Sequence, residues 1–143
     1  MRKNNLKDLF EGRVLTENNC YNFFDWFCKD SSLKRRAENL VPKIKFLVKE
    51  LNLDLEKYTS FFKNNCPLCG SLYETFWIEL IENEDVFLCV VPTTGYYGVE
   101  NKTSIFLKRN DEVEEIEFKN WSTFKKELKE NSELKEKIEN YIK

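Results

Sequence analysis

The hydrophobic period changes twice along this chain, and that change constrains the fold more than any single motif. As far as Leu51, apolar residues recur at helical spacing. From Tyr58 to Phe118 they follow a period of two, and from Thr123 onward the helical spacing returns. Helices, then consecutive strands, then helices is the pattern of an α+β fold. The expectation is an antiparallel sheet of four to five strands in meander order, flanked by N-terminal and C-terminal helices, as a single domain over residues 1–143.

The elements can be placed more closely. Thr16 caps a helix running to Lys29, with Tyr21, Phe24, Phe27 and Cys28 on one face and Phe23 and Trp26 widening it. Asp30-Ser31-Ser32 ends that helix and opens a second, Leu33 to Leu51, whose apolar stripe is Leu33, Ala37, Leu40, Ile44, Leu47, Val48 and Leu51. Pro42 falls on its polar side, and an interior proline costs about 3 kcal/mol, which leaves open a kinked helix or two shorter ones. Strands follow at Tyr58–Lys63, Leu72–Ile81, Val86–Val91, Thr103–Arg109 and Glu112–Phe118, with turns at Asn64–Gly70, Asn83-Glu84-Asp85 and Asn110-Asp111 and a loop from Pro92 to Asn101. Val86–Val91 is apolar on both faces and reads as the central strand; Glu112–Phe118 alternates Glu with Val113, Ile116 and Phe118, as a charge-protected edge strand does. Ser122 or Asn120 caps a helix from Thr123 to Glu130, and Ser132 caps another from Glu133 to Ile142.

Twelve Phe, six Tyr and three Trp supply enough ring surface for a core, and only four Gly and three Pro argue against long linkers. The N-terminal residues lack the apolar centre of a signal peptide, and no apolar run has the length of a membrane span. Five cysteines, an odd number, do not make a secreted disulfide framework, so a cytoplasmic protein with reduced thiols is expected. The formal charge of −2 hides segregation. Residues 1–49 hold 11 Lys/Arg against 6 Asp/Glu, residues 50–118 hold 5 against 14, and residues 119–143 hold 7 against 5. A negative middle between mildly positive ends does not suit direct nucleic-acid binding by the whole chain; it suits a protein partner with a basic surface.

Cys66-Pro67-Leu68-Cys69-Gly70 has the spacing of half a zinc site. No histidine exists to complete it, and Cys20 and Cys28 lie eight residues apart on an expected helix, roughly 12 Å by helical rise. Either Cys66 and Cys69 recruit distant thiols to hold Zn, or no cofactor is bound and the segment is a turn carrying two thiols. Cys89 sits in the most apolar strand and reads as a small core residue. Without histidine there is no Ser-His-Asp arrangement and no base of the usual kind for a cysteine nucleophile, and no phosphate-binding glycine loop is present, so no catalytic residue is assigned.

Two groups remain as contact candidates. Tyr96 and Tyr97, between Gly95 and Gly98, have the character of rigid interface anchors, and the acidic residues from Glu79 to Glu117, among them Glu112, Glu114, Glu115 and Glu117, would meet a basic partner. Lys34, Arg35 and Arg36, followed by Lys43, Lys45 and Lys49, form a basic cluster that would contact phosphates; with no aromatic ladder beside it, a solvated helix face is the simpler reading.

Asn19-Cys20-Tyr21-Asn22-Phe23-Phe24-Asp25-Trp26-Phe27-Cys28, Phe61-Phe62-Lys63-Asn64-Asn65-Cys66-Pro67 and Gly70-Ser71-Leu72-Tyr73 resemble segments of small uncharacterised accessory proteins of bacteriophages, over roughly residues 17–92. The resemblance implies a phage protein that blocks a host or defence protein, as anti-CRISPR proteins do, acting in the host cytoplasm, and it carries no catalytic residue with it. The expected function is therefore non-enzymatic binding and inhibition of such a protein, for example a CRISPR-associated nuclease, through the acidic and tyrosine-bearing surface. The alternative is a small zinc-stabilised module that binds nucleic acid through Lys34, Arg35 and Arg36.

Overall fold

In the computed structural model, which describes residues 4–11, 30–63, 74–93 and 102–143, the strands form one antiparallel sheet whose spatial order is the order of the chain. The elements are β1 (Asn4–Asn5), α1 (Leu6–Phe10), α2 (Asp30–Glu50), β2 (Tyr58–Lys63), β3 (Thr75–Leu80), β4 (Asn83–Val91), β5 (Thr103–Arg109), β6 (Glu112–Phe118), α3 (Trp121–Glu130) and α4 (Ser132–Ile142). The fold is α+β. Five strands make the meander expected from the period of two, and the two-residue β1 adds a sixth at the β2 edge, pairing Asn4 with Ser60 and Asn5 with Thr59. Neither β1 nor the short α1 has a periodic signature; α1 is held by the Asn5 side chain, which accepts a hydrogen bond from the Lys7 amide at 3.1 Å.

α2 runs through Pro42 as one helix of 21 residues. Pro42 is exposed, so its ring lies away from the stripe of Leu40, Ile44, Leu47, Val48 and Leu51 that enters the core. Burial of that stripe outweighs the local cost of the proline. The helix ends where Asn52 turns left-handed (φ 51°), with the Leu53 amide donating to the Val48 carbonyl at 3.0 Å and the Asn52 amide to the Lys49 carbonyl at 3.3 Å. That is a Schellman end with asparagine in the place glycine usually takes, closed by the burial of Leu53 with Val48.

Several boundaries differ from the sequence reading: Asp30, Ser31 and Ser32, expected to stop one helix and open the next at Leu33, are already the first residues of α2, and β3 ends at Leu80 rather than Ile81. Asn83, Glu84 and Asp85 belong to β4, because the chain reverses earlier, at Ile81–Glu82, and Leu80 pairs with Asn83 across a register shift. α3 begins at Trp121, capped by Asn120, whose Oδ1 accepts from the Thr123 amide at 2.8 Å. α4 is capped by Asn131 rather than Ser132: the Asn131 side chain accepts from the amides of Glu133 at 3.0 Å and Leu134 at 3.3 Å, so Ser132 is the first helical residue. An amide side chain one residue earlier captures the donors that the serine was expected to take. The expected helix from Thr16 to Lys29, the turn from Asn64 to Gly70 and most of the loop from Pro92 to Asn101 lie outside the described residues.

The alternation of the strands sorts their side chains onto two buried faces. Tyr58, Phe62, Phe76, Ile78, Leu88, Val90, Ile105, Leu107 and Phe118 meet the apolar sides of α1, α2, α3 and α4 in the main core. Phe61, Trp77, Phe87, Cys89, Val91 and Phe106 form a second cluster on the opposite face, with Trp77 stacked on Phe61 at 5.4 Å and tilted against Phe87 at 4.5 Å. β4 contributes to both, as its doubly apolar sequence requires, and Cys89 is fully buried there. The end of α4 is fastened to the sheet by side chains. The Tyr58 hydroxyl donates to the Ile142 carbonyl at 2.6 Å, while Arg109 donates to the carbonyls of Tyr141 at 2.8 Å and Lys143 at 3.1 Å.

Candidate functional site

Among the described residues β6 pairs with β5 alone, so its outer edge ends the described sheet. The period of two sends its four glutamates in two directions. Glu112 and Glu114 share a face with Ile116 and Phe118, toward the helices, while Glu115 lies beside Phe106 and Glu117 beside Ser104 on the opposite face. Glu114 is paired with Lys137 of α4, and Glu117 lies 3.8 Å from Lys102. Glu112 and Glu115 are exposed and make no ion pair among the described residues. Glu79, the start of the acidic stretch, is buried in β3 at 7 % exposure. The acidic residues therefore do not form one continuous surface: Glu79 is buried and Glu114 half-buried, while Glu112 and Glu115 are exposed on opposite faces of β6, as are Glu117 and, at the β3–β4 turn, Glu82, Glu84 and Asp85.

A cleft of about 460 Å³ opens at the foot of the sheet, lined by Asp54, Lys57, Tyr58, Glu82, Arg109 and Lys143. Its two most chemically capable groups are already engaged: Arg109 and the Tyr58 hydroxyl both serve the last carbonyls of α4. Burial holds the Tyr58 phenol above its usual range, with the nearby Arg109 opposing and Asp54 adding to the effect. Tyr141 is raised in the same sense, by desolvation and then by Glu114, whose carboxylate also shares a hydrogen bond with it. These shifts follow from packing around α4 and supply neither a nucleophile nor a base poised near neutral pH.

The third arrangement is one that no stretch of sequence displays. Phe46 of α2 meets Trp121 of α3 edge to face, with ring centroids 6.0 Å apart. Lys43 Nζ stands 5.5 Å from the Trp121 ring, and Lys125 Nζ and Lys129 Nζ stand 6.0 and 5.6 Å from the Phe46 ring. Burial, and after it the charge of Lys125, hold Lys43 below the ordinary lysine range. On α3 the positions 121, 125 and 129 recur every four residues and so make one stripe, which is how a helix of mixed charge comes to present lysines alone on this side.

Of the residues singled out in the sequence, Cys66, Cys69, Tyr96 and Tyr97 lie outside the described residues, as do Cys20 and Cys28. Lys34, Arg35 and Arg36 fall in the first turns of α2. Among the described residues no three Cys, Asp or Glu side chains gather as metal ligands would, and no helix is long and apolar enough to cross a membrane. Comparison with known protein families, with characterised proteins and with solved structures yields no match to this chain.

Proposed function

We propose that this protein acts by binding another protein, as a phage-type inhibitor of a host or defence nuclease would, with the β6 edge as its docking element. The observation that carries the reading is the combination at β6, among the described residues, of an outer edge without a strand partner and two exposed carboxylates, Glu112 and Glu115, without ion pairs. An edge strand offers backbone donors and acceptors to a partner strand, and flanking carboxylates select a basic one while disfavouring self-association. Glu117, only loosely paired with Lys102, would add to the same field, and Tyr96 and Tyr97 remain the proposed aromatic anchors. The engagement of Arg109 and Tyr58 in holding α4 favours binding over catalysis at the nearby cleft.

The test is inhibition of target cleavage by a panel of purified defence nucleases, including guide-loaded CRISPR-associated nucleases, with the wild-type protein and a Glu112→Lys/Glu115→Lys variant. Inhibition by the wild type should weaken as salt rises and be lost in the variant. Cleavage unaffected by the wild type throughout the panel at low salt would remove this reading.

A further inference from the structure

We infer that the α2–α3 surface built by Lys43, Phe46, Trp121, Lys125 and Lys129 is a binding site for single-stranded nucleic acid. The inference is independent of the β6 docking element, which lies on a different part of the fold and carries the opposite charge.

Three ammonium groups from two helices converge on two adjoining, partly buried rings. Lys43, Lys125 and Lys129 make no ion pair among the described residues, and what separates them from other lysines without one, such as Lys49, Lys119 and Lys126, is their convergence on one pair of rings. Glu50, two turns beyond Lys43 on α2, is occupied by Lys135 at 3.1 Å. Glu127 and Glu130 fall off the stripe of Trp121, Lys125 and Lys129 at the helical angle of about 100° per residue. The fold thus gathers like charges in a place where Lys43 and Lys125 repel one another, and a ligand bearing several negative charges relieves that repulsion.

The rings decide between polyanions. Carboxylates of an acidic protein segment would be served by the lysines alone. A single strand presents phosphates and unstacked bases together, and lysines interleaved with aromatic rings match both. Phosphates would draw the three ammonium groups outward and leave the exposed parts of Trp121 and Phe46 to the bases. A duplex keeps its bases stacked and offers the rings nothing.

The experiment is fluorescence anisotropy with labelled 20-nucleotide oligo(dT), at salt concentrations from 50 to 200 mM, using the full chain. Competitors are an unlabelled duplex of the same length and poly-glutamate. The single strand should bind, and it should be displaced far less readily by either competitor than by itself. Lys43→Gln/Lys125→Gln/Lys129→Gln should weaken binding at least tenfold and lower the slope of log K against log salt by about 2, since each neutralised phosphate of a single strand contributes about 0.7. Trp121→Leu, which keeps all three lysines, should weaken single-strand binding several-fold. Lys119→Gln/Lys126→Gln and Glu112→Lys/Glu115→Lys should leave it unchanged, which separates this site from the β6 reading. No binding at 50 mM salt, equal displacement by duplex or poly-glutamate, or a triple variant that is folded by circular dichroism and binds like wild type would each overturn the inference.

Discussion

Replacing Tyr58 by Phe removes one oxygen atom and tests how α4 is held to the sheet. The hydroxyl donates to the Ile142 carbonyl at 2.6 Å in a buried setting, and Ile142 itself is 1 % exposed. The last four carbonyls of a helix have no partner within it, and here Tyr58 and Arg109 satisfy those of residues 141, 142 and 143. Loss of an average hydrogen bond costs about 1 kcal/mol, and a buried carbonyl left without a donor raises the cost toward about 3 kcal/mol, so about 2 kcal/mol is expected. With a urea m-value of about 2 kcal/mol per molar for a chain of this size, the midpoint of unfolding should fall by about 1 M with m unchanged. The measurement is urea denaturation followed by circular dichroism, repeated across pH. Burial raises the pKa of Tyr58 in the folded state, so its contribution is complete below the unfolded value near pH 10 and is lost as pH rises through the higher folded value. The difference between wild type and variant should accordingly be flat between pH 6 and 9 and shrink above about pH 10. A midpoint unchanged within 0.2 M, or a difference that grows at high pH, would refute the assignment of Tyr58 as the cap of α4.

Two further outcomes can be stated. The Ser60 hydroxyl is buried on the main-core face of β2 with no hydrogen-bond partner among the described residues, so Ser60→Ala should be neutral or stabilise by up to about 1 kcal/mol in the same denaturation assay, opposite in sign to most core substitutions. Native mass spectrometry of protein purified under reducing conditions without chelator should give the mass of the chain alone; an added zinc, removed by chelator and lost in Cys66→Ser/Cys69→Ser, would instead assign those thiols as ligands.

The sheet was legible because its cues are local. Tyr58–Lys63, Thr103–Arg109 and Glu112–Phe118 have the boundaries their alternation implies, and the doubly apolar run within β4 announces its place between two packed faces. Caps were less so. Asn131 and Ser132 are both good capping residues, and only the backbone path, extended at Asn131, decides which side chain reaches the orphan amides. The candidate surfaces were the least legible. Glu112, Glu114, Glu115 and Glu117 look like one acidic run, yet a strand divides neighbours between its faces, and Lys137, more than twenty residues away, takes Glu114.

Sequence alone therefore determined the class and the elements from α2 onward, because hydrophobic period and turn chemistry act over a few residues, within reach of a reading along the chain, whereas β1 and α1 carry no such signal. Whether Pro42 breaks α2 was a tertiary decision, made by the burial of Leu40, Ile44 and Leu47 on the side away from the proline ring. The meeting of Lys43 and Phe46 with Trp121, Lys125 and Lys129 was another. Read along α2 the basic residues have a single ring, Phe46, among them; Trp121 and the remaining charges come from a helix some eighty residues later, and only the packing of both helices against one sheet brings them together.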